Sequence, residues 1–203
     1  RSTLFPYTTL FRSRTGYVRH HILDPLGLYG GYCVDSLDSS RFATIYEYNV
    51  DSNKYYPSPA AYAPRREEIA NYRMGYSTPI FSPTGGMKIS AGDLAKYMIM
   101  HIRQGRYKGK KIMSKKSARQ MQTQVDEKAK YGFAISTSDN LFPGKIIKGH
   151  TGSAYGLYSA MFFHPKEKWG IVVISNGCLP GYTDGSGSRS EERRVGKKCR
   201  SRW

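Results

Sequence analysis

The sequence predicts an α+β fold, an α/β sandwich in which an antiparallel sheet is covered by helices. Three observations carry this. A helical period dominates 83–123, short β-rich segments separated by turn residues fill 131–177, and the two kinds of element are segregated along the chain instead of alternating.

The two ends read differently from the middle. Back-translated with suitable codons, RSEERRVGKKCRS (189–201) gives on the complementary strand RSTLFPYTTLFRS, which is residues 1–13, at every one of the thirteen positions. Ser13 pairs with Arg189 as TCT/AGA, Pro6 with Gly196 as CCC/GGG and Phe5 with Lys197 as TTT/AAA. Selection on a protein does not generate that relation, whereas inverted DNA ends do. The flanks 1–13 and 189–203 therefore resemble translated sequencing adapter and are set aside from fold and function. A basic arm and a basic tail are the competing account. The expected domain is 14–188, a partial or whole unit long enough to bury a core.

Within it, GYVRHHILDPLGLYGGY (16–32) reads as the end of an amphipathic helix, with Val18, Ile22 and Leu26 on one face and His20 and His21 on the polar side. Asp24-Pro25 and the glycines are expected to stop it. FATIYEYNV (42–50) has strand character, and YYPSPAAYAP (55–64) shows neither period, which predicts an irregular excursion serving as a wall. PTGGMKISAGDLAKYMIMHIRQGRY (83–107) is the clearest element. Ser90 and Asp93 form a capping pattern, Leu94, Met98 and Ile102 recur with Ala95 and Ile99 at helical spacing, and Gly105 ends the run. A second helix is predicted from Ser114 to about Thr123, with Ala118 and Met121 inward. YGFAISTS, KIIKGHT, GLYSAMFFHP and WGIVVISNG then read as strands of a meander.

The formal charge of +17 overstates the middle, because the flanks hold nine of the 32 Lys and Arg but two of the 15 Asp and Glu, leaving +10. The cations are scattered except at KGKK (108–111) and KK (115–116), a patch better read as a solvated loop flanking a helix than as a nucleic-acid surface. Cys33 and Cys178 are too few and too far apart for a metal knuckle or a disulfide framework, so free or buried thiols are expected. No run of eighteen apolar residues exists to form a membrane span.

KIIKGHTGSAYGLYSAMFFHPKEKWGIVVISNG (145–177) resembles the third to fifth strands of the class C β-lactamase-like family, which includes DD-carboxypeptidases, D-aminopeptidases and esterases. HTG at 150–152 fits the position of its K-T-G motif. YVRHHILDPLGLY (17–29) resembles the segment around its PLGM turn, and PTGGMKISAGDLAKYM (83–98) its PAGG-x-x-S/T-x-x-DLA helix, in the same order. The resemblance implies acyl-transfer chemistry in which a serine of S-x-x-K attacks a carbonyl, assisted by its lysine and by a tyrosine of Y-x-N. It further implies that His150, Thr151, Gly152 and Ser153 form the substrate-binding and oxyanion strand. The backbone N–H of Ser153 would hold the oxyanion, Thr151 would hydrogen-bond the substrate carboxylate, and Gly152 would admit the substrate backbone. His150 replaces the motif's lysine and makes its charge conditional on pH; a histidine merely satisfied at a strand edge is the alternative. Gly85 and Gly86 fit the turn before the long helix, and Tyr62, Tyr72 and Tyr76 are either packing groups or substrate-side lining. The implied partner is a small-molecule or peptide acyl donor, a β-lactam, a D-Ala-D-Ala peptide or an ester, and no metal or organic cofactor is implied.

No lysine in the 203 residues has a serine three positions before it, so S-x-x-K is absent. YEYN offers Tyr46 and Asn49, or Tyr48 and Asn49, never Y-x-N, and it follows the PLGL block where the family places its tyrosine motif before it. The expectation is therefore a domain truncated on its N-terminal side, inactive as it stands, with a sheet edge left unpaired. A non-catalytic penicillin-fold binding protein and, further off, a basic nucleic-acid module are the competing readings.

Overall fold

The computed structural model describes residues 16–64, 66–71, 86–126, 128 and 130–178. The flanks 1–13 and 189–203, together with Tyr72, Tyr76 and Gly85, lie outside the described residues. The chain divides into two compact units. One takes residues up to Ser40, Pro64–His150 and Met161–Val172; the other takes Arg41–Ala63, Thr151–Ala160 and residues from Val173 onward.

The first unit begins with a helical stretch whose middle, Arg19–Leu23, is a π turn, followed by α1 (Asp24–Leu26). Of the stop expected from Asp24-Pro25 and the glycines, the glycine does the stopping: the helix continues through Pro25 and ends at Gly27, which takes the left-handed conformation (φ 64°) and donates its N–H to the Asp24 carbonyl at 3.0 Å. Pro25 sits at the start of α1, where a missing N–H is tolerated, and the wider π turn precedes it. Two short antiparallel strands follow, β1 (Gly30–Gly31) and its partner β4 (Lys88–Ile89). A short helix, α2 (Arg66–Ala70), lies between them in sequence and is fixed to the chain by Arg66, whose Nε and Nη2 reach the two Asp35 carboxylate oxygens at 2.7 and 2.6 Å.

The long helix is α3 (Ala91–Ile102). Ser90 caps it, accepting the Asp93 N–H at 3.1 Å, and the Asp93 carboxylate accepts from Lys96 at 2.6 Å and from the Tyr29 backbone N–H at 3.2 Å. Three hydrogen bonds and the Lys96 charge hold the Asp93 carboxyl below its ordinary range despite partial burial. Leu94, Met98 and Ile102 form the expected face, packed against Met161, Phe163 and Val172. A second face is buried as well: Met100, fully enclosed, packs with Leu23, Leu26 and Leu28, with Val18 and Ile22 at the margin. Tyr97 borders both clusters, so α3 is the common wall of two cores. After it come the hairpin β5 (Arg106–Tyr107) and β6 (Lys110–Lys111), then α4 (Lys115–Gln122), capped by Ser114 and anchored by fully buried Ala118. Lys108 and Lys110 are solvent-exposed in and beside the hairpin turn. Among the described residues no helix is long and apolar enough to cross a membrane.

A four-stranded sheet has the order β10 (Trp169–Ser175), β9 (Leu157–His164), β8 (Ile147–Ala154), β7 (Ser136–Ser138). β7 and β8 are antiparallel, with Thr137 opposite Lys148. These are the strands expected from the β-rich segments, and mixed helices with antiparallel sheets make the protein α+β.

In the second unit, β2 (Tyr46–Asn49) and β3 (Lys54–Pro57) pair antiparallel, Tyr46 opposite Pro57. The irregular excursion expected at 55–64 is thus corrected in its first part. The tyrosines of YYP are strand residues, held by a hairpin whose Asn53 adopts φ 54°, and Pro57 ends the strand because it has no N–H to give. The remainder is a 3-10 turn, Pro59–Tyr62. The turn joining β8 to β9 places Tyr155 and Gly156 at φ 54° and 83° and brings Gly156 against the Tyr46 carbonyl, which a Cβ there would meet at 1.9 Å.

Candidate functional site

β8 carries all four residues singled out as the substrate strand. His150 is exposed, Thr151 is half-buried, and Gly152 and Ser153 are exposed. The strand is anchored by its first half, where Ile147 is fully buried and Gly149 is so closed in that an added Cβ would sit 1.9 Å from the Met161 carbonyl oxygen and 2.8 Å from the Phe162 Cα. The Ser136 hydroxyl donates to the Gly149 carbonyl at 2.7 Å from β7.

Lys148 and His150 share one face of β8, since alternate residues of a strand point the same way. Lys148 is partly buried. Its ammonium donates to the carbonyl of Gln122, the last residue of α4, and to Thr137 Oγ1 at 3.3 Å. A cation at a helix C-terminus is favourably placed, while burial lowers its pKa from the ordinary lysine value. The imidazole of His150 meets the ring of Tyr131 edge-on, centroids 5.8 Å apart at 75°. Tyr131 is held beside the sheet by isolated bridges to Asp126 and Ser136, and burial raises the pKa of its phenol. Tyr131 and Lys148 lie in the segments YGFAISTS and KIIKGHT read as strands, but neither was singled out because neither belongs to a motif.

Gly152 differs from Gly149. The one neighbour a Cβ would crowd is the Ser159 hydroxyl at 2.9 Å, the movable end of a side chain that donates to the Gly152 carbonyl at 3.3 Å. The other candidates lie elsewhere. Tyr62 donates its hydroxyl to the Ala43 carbonyl at 2.7 Å and stacks on Phe42, centroids 4.6 Å apart at 12°, which accounts for it as a packing group. Gly86 takes φ 81° just before β4. Tyr46 and Asn49, set aside as a tyrosine motif, are ladder residues of β2. Cys33 and Cys178 are free thiols, Cys33 exposed and Cys178 half-buried.

Comparison with known proteins identifies the frame around this strand. The Beta-lactamase family matches residues 10–186. No curated protein matches the sequence. Among solved structures, the octameric penicillin-binding protein homologue from Pyrococcus abyssi is similar with a TM-score of 0.57 and 24% identity, over 80% of this chain and 33% of that one. A penicillin binding protein from Bacillus halodurans is similar with a TM-score of 0.57 and 16% identity, over 91% of this chain and 48% of its own. A D-stereospecific amidohydrolase from Streptomyces sp. gives 0.54 and 16%, over 80% and 44%. The chain thus spans between a third and a half of the length of these structures, and its fold is of the β-lactamase and penicillin-binding type, a serine-hydrolase frame. With the family matched over most of its length, the chain belongs to the beta-lactamase family.

Proposed function

We propose that this chain supplies the substrate-binding wall of an acyl-enzyme serine hydrolase acting on a β-lactam, a D-Ala-D-Ala peptide or an ester, and that the nucleophile and its bases lie outside these 203 residues. The observation that carries this reading is the contrast between the two glycines of β8. The fold itself demands a glycine at 149, where backbone atoms leave no room, but makes almost no steric demand at 152, where a hydroxyl can swing aside. A glycine unneeded by the fold, inside H-T-G on an open strand end, is accounted for by an extended acyl donor lying along the strand.

In this reading Thr151 hydrogen-bonds the donor's carboxylate, the Ser153 N–H is one oxyanion donor, and His150 sits where a proton or an anion is handled, with Tyr131 fixing its ring. An oxyanion donor of this kind is worth about 3–4 kcal/mol of transition-state stabilisation in acyl transfer, but it has nothing to stabilise without a nucleophile. The absence of S-x-x-K from the sequence, together with solved neighbours of whose length this chain spans a third to a half, supports placing that nucleophile elsewhere.

The purified chain is therefore expected to show neither covalent labelling by a fluorescent penicillin nor turnover of p-nitrophenyl acetate beyond the buffer rate. Labelling of the chain alone would overturn the proposal. Sequencing the source locus beyond both flanks tests the other half. An in-frame S-x-x-K followed by Y-x-N upstream of Gly16 supports the hydrolase, whereas a gene without them leaves a non-catalytic binding protein on the same frame.

A further inference from the structure

The first unit contains a cavity of about 900 Å³ that none of residues 150–153 lines. Six cationic side chains line it. Arg103 and Arg106 come from the chain just past α3, Lys111 from β6, Lys115 and Arg119 from one face of α4, and Lys168 from the turn between β9 and β10. Among the described residues no Asp or Glu lines it and none of the six side chains is in an ion pair. Ile102, Met113 and Pro165 give the wall an apolar part.

Six like charges gathered from four separate parts of the chain, with no counter-charge among the described lining residues, repel one another. A concave wall that is partly apolar focuses their field into the pit. Elsewhere in this protein exposed cations do find carboxylates: Lys130 with Asp139, Lys145 with Glu167, Arg66 with Asp35. What sets the cavity apart is that six unpaired cations share one concave wall. Three arginines offer planar forks that match phosphate oxygens two at a time, and three lysines add mobile point charges. The volume is that of a small-ligand pocket, and cations converging on a pit suit a compact anion better than a long backbone tracked along a stripe.

We infer that this cavity binds a small polyanion carrying two or more phosphate groups. The inference is independent of the acyl-transfer reading, because it uses other residues and survives its failure.

The test is calorimetric titration of the whole 203-residue chain in about 150 mM salt, where exposed charges more than roughly 8 Å apart are largely screened, with inorganic triphosphate, adenosine diphosphate and inorganic phosphate as probes. Triphosphate and the diphosphate are expected to bind with one-to-one stoichiometry, and inorganic phosphate at least about tenfold more weakly. The double variant Arg106→Ser, Arg119→Ser is expected to lose about tenfold or more in triphosphate affinity, while Lys54→Ser, Lys128→Ser, which removes as much charge away from the cavity, leaves it unchanged. Circular dichroism checks that the variants fold; if the arginine pair does not, Lys111→Gln, Lys168→Gln takes its place with the same expectation. No binding by the parent chain, equal weakening by the two charge-matched pairs, or a single-stranded oligonucleotide that outcompetes triphosphate with a salt slope of many phosphates would each overturn the inference, the last in favour of a nucleic-acid surface.

Discussion

The two halves of β8 are the same strand with opposite surroundings. Ile147 and Gly149 are enclosed by β7, β9 and backbone atoms, while Gly152, Ser153 and Ala154 are exposed. The enclosed half is specified by packing, so almost any change there is felt by the fold. The open half is specified by little within the described structure, so the fold is expected to tolerate changes there.

The sharpest break of that comparison is the glycine pair. Gly149→Ala drives a Cβ into the Met161 carbonyl and is expected to cost about 4 kcal/mol or more, or to prevent folding. Gly152→Ala displaces the Ser159 hydroxyl alone and is expected to stay within about 1 kcal/mol of the parent. Urea unfolding midpoints read both, and equal costs would erase the distinction between the halves.

A similar contrast runs between β9 and β10. Phe163 is fully buried, whereas Ile171 and Val173 on β10 are 44% and 50% exposed. Phe163→Ala is expected to destabilise by about 3–5 kcal/mol through lost burial and the cavity left behind, and Ile171→Ala by less than about 1 kcal/mol. A large loss at Ile171 would mean that β10 is covered by something its exposure does not reveal.

The last expected effect is a pH dependence inside the enclosed region. His101 on α3 is 1% exposed, lies between the rings of Tyr97 and Phe163, and its Nδ1 has no hydrogen-bond partner among the described residues. Burial lowers its pKa to about 4, so the folded state holds it neutral. The unfolded chain takes up a proton near 6.5, so the folded state is fully favoured above about pH 6.5 and progressively disfavoured as the pH falls toward 4, by on the order of 3 kcal/mol in all. Unfolding midpoints at pH 7.5 and 4.5 are expected to differ less in His101→Phe than in the parent. An unchanged difference would assign the acid sensitivity to the paired carboxylates of Asp35, Asp93, Asp139 and Glu167 instead.

How far the site was legible follows from where its information lies. H-T-G within a strand is visible in three letters, and its place on β8 was read correctly. Tyr131 beside His150, and Lys148 tied to the end of α4, depend on residues 11 to 26 positions away and leave no periodic trace. The six-cation cavity failed to show for the same reason. KGKK and KK read as a solvated patch, and Lys108, Lys110, Lys111, Lys115 and Lys116 are all exposed, but that Lys111 and Lys115 line one cavity with Arg103 and Lys168 emerges only once the chain turns back.

The sequence by itself determined what neighbours within about four residues decide: the Ser90 and Ser114 caps, the Leu94, Met98 and Ile102 face of α3, the turns that separate the last strands, and the lack of a nucleophile motif. Tertiary structure decided what depends on the far side of each element. α3 buries a second face through Met100 because the N-terminal helix covers it, and the tyrosines of YYP become a strand because β2 offers them a partner. Hydrogen-bonding and steric preferences act along the chain and are written in it, whereas burial is a property of surfaces that meet only after the chain has folded.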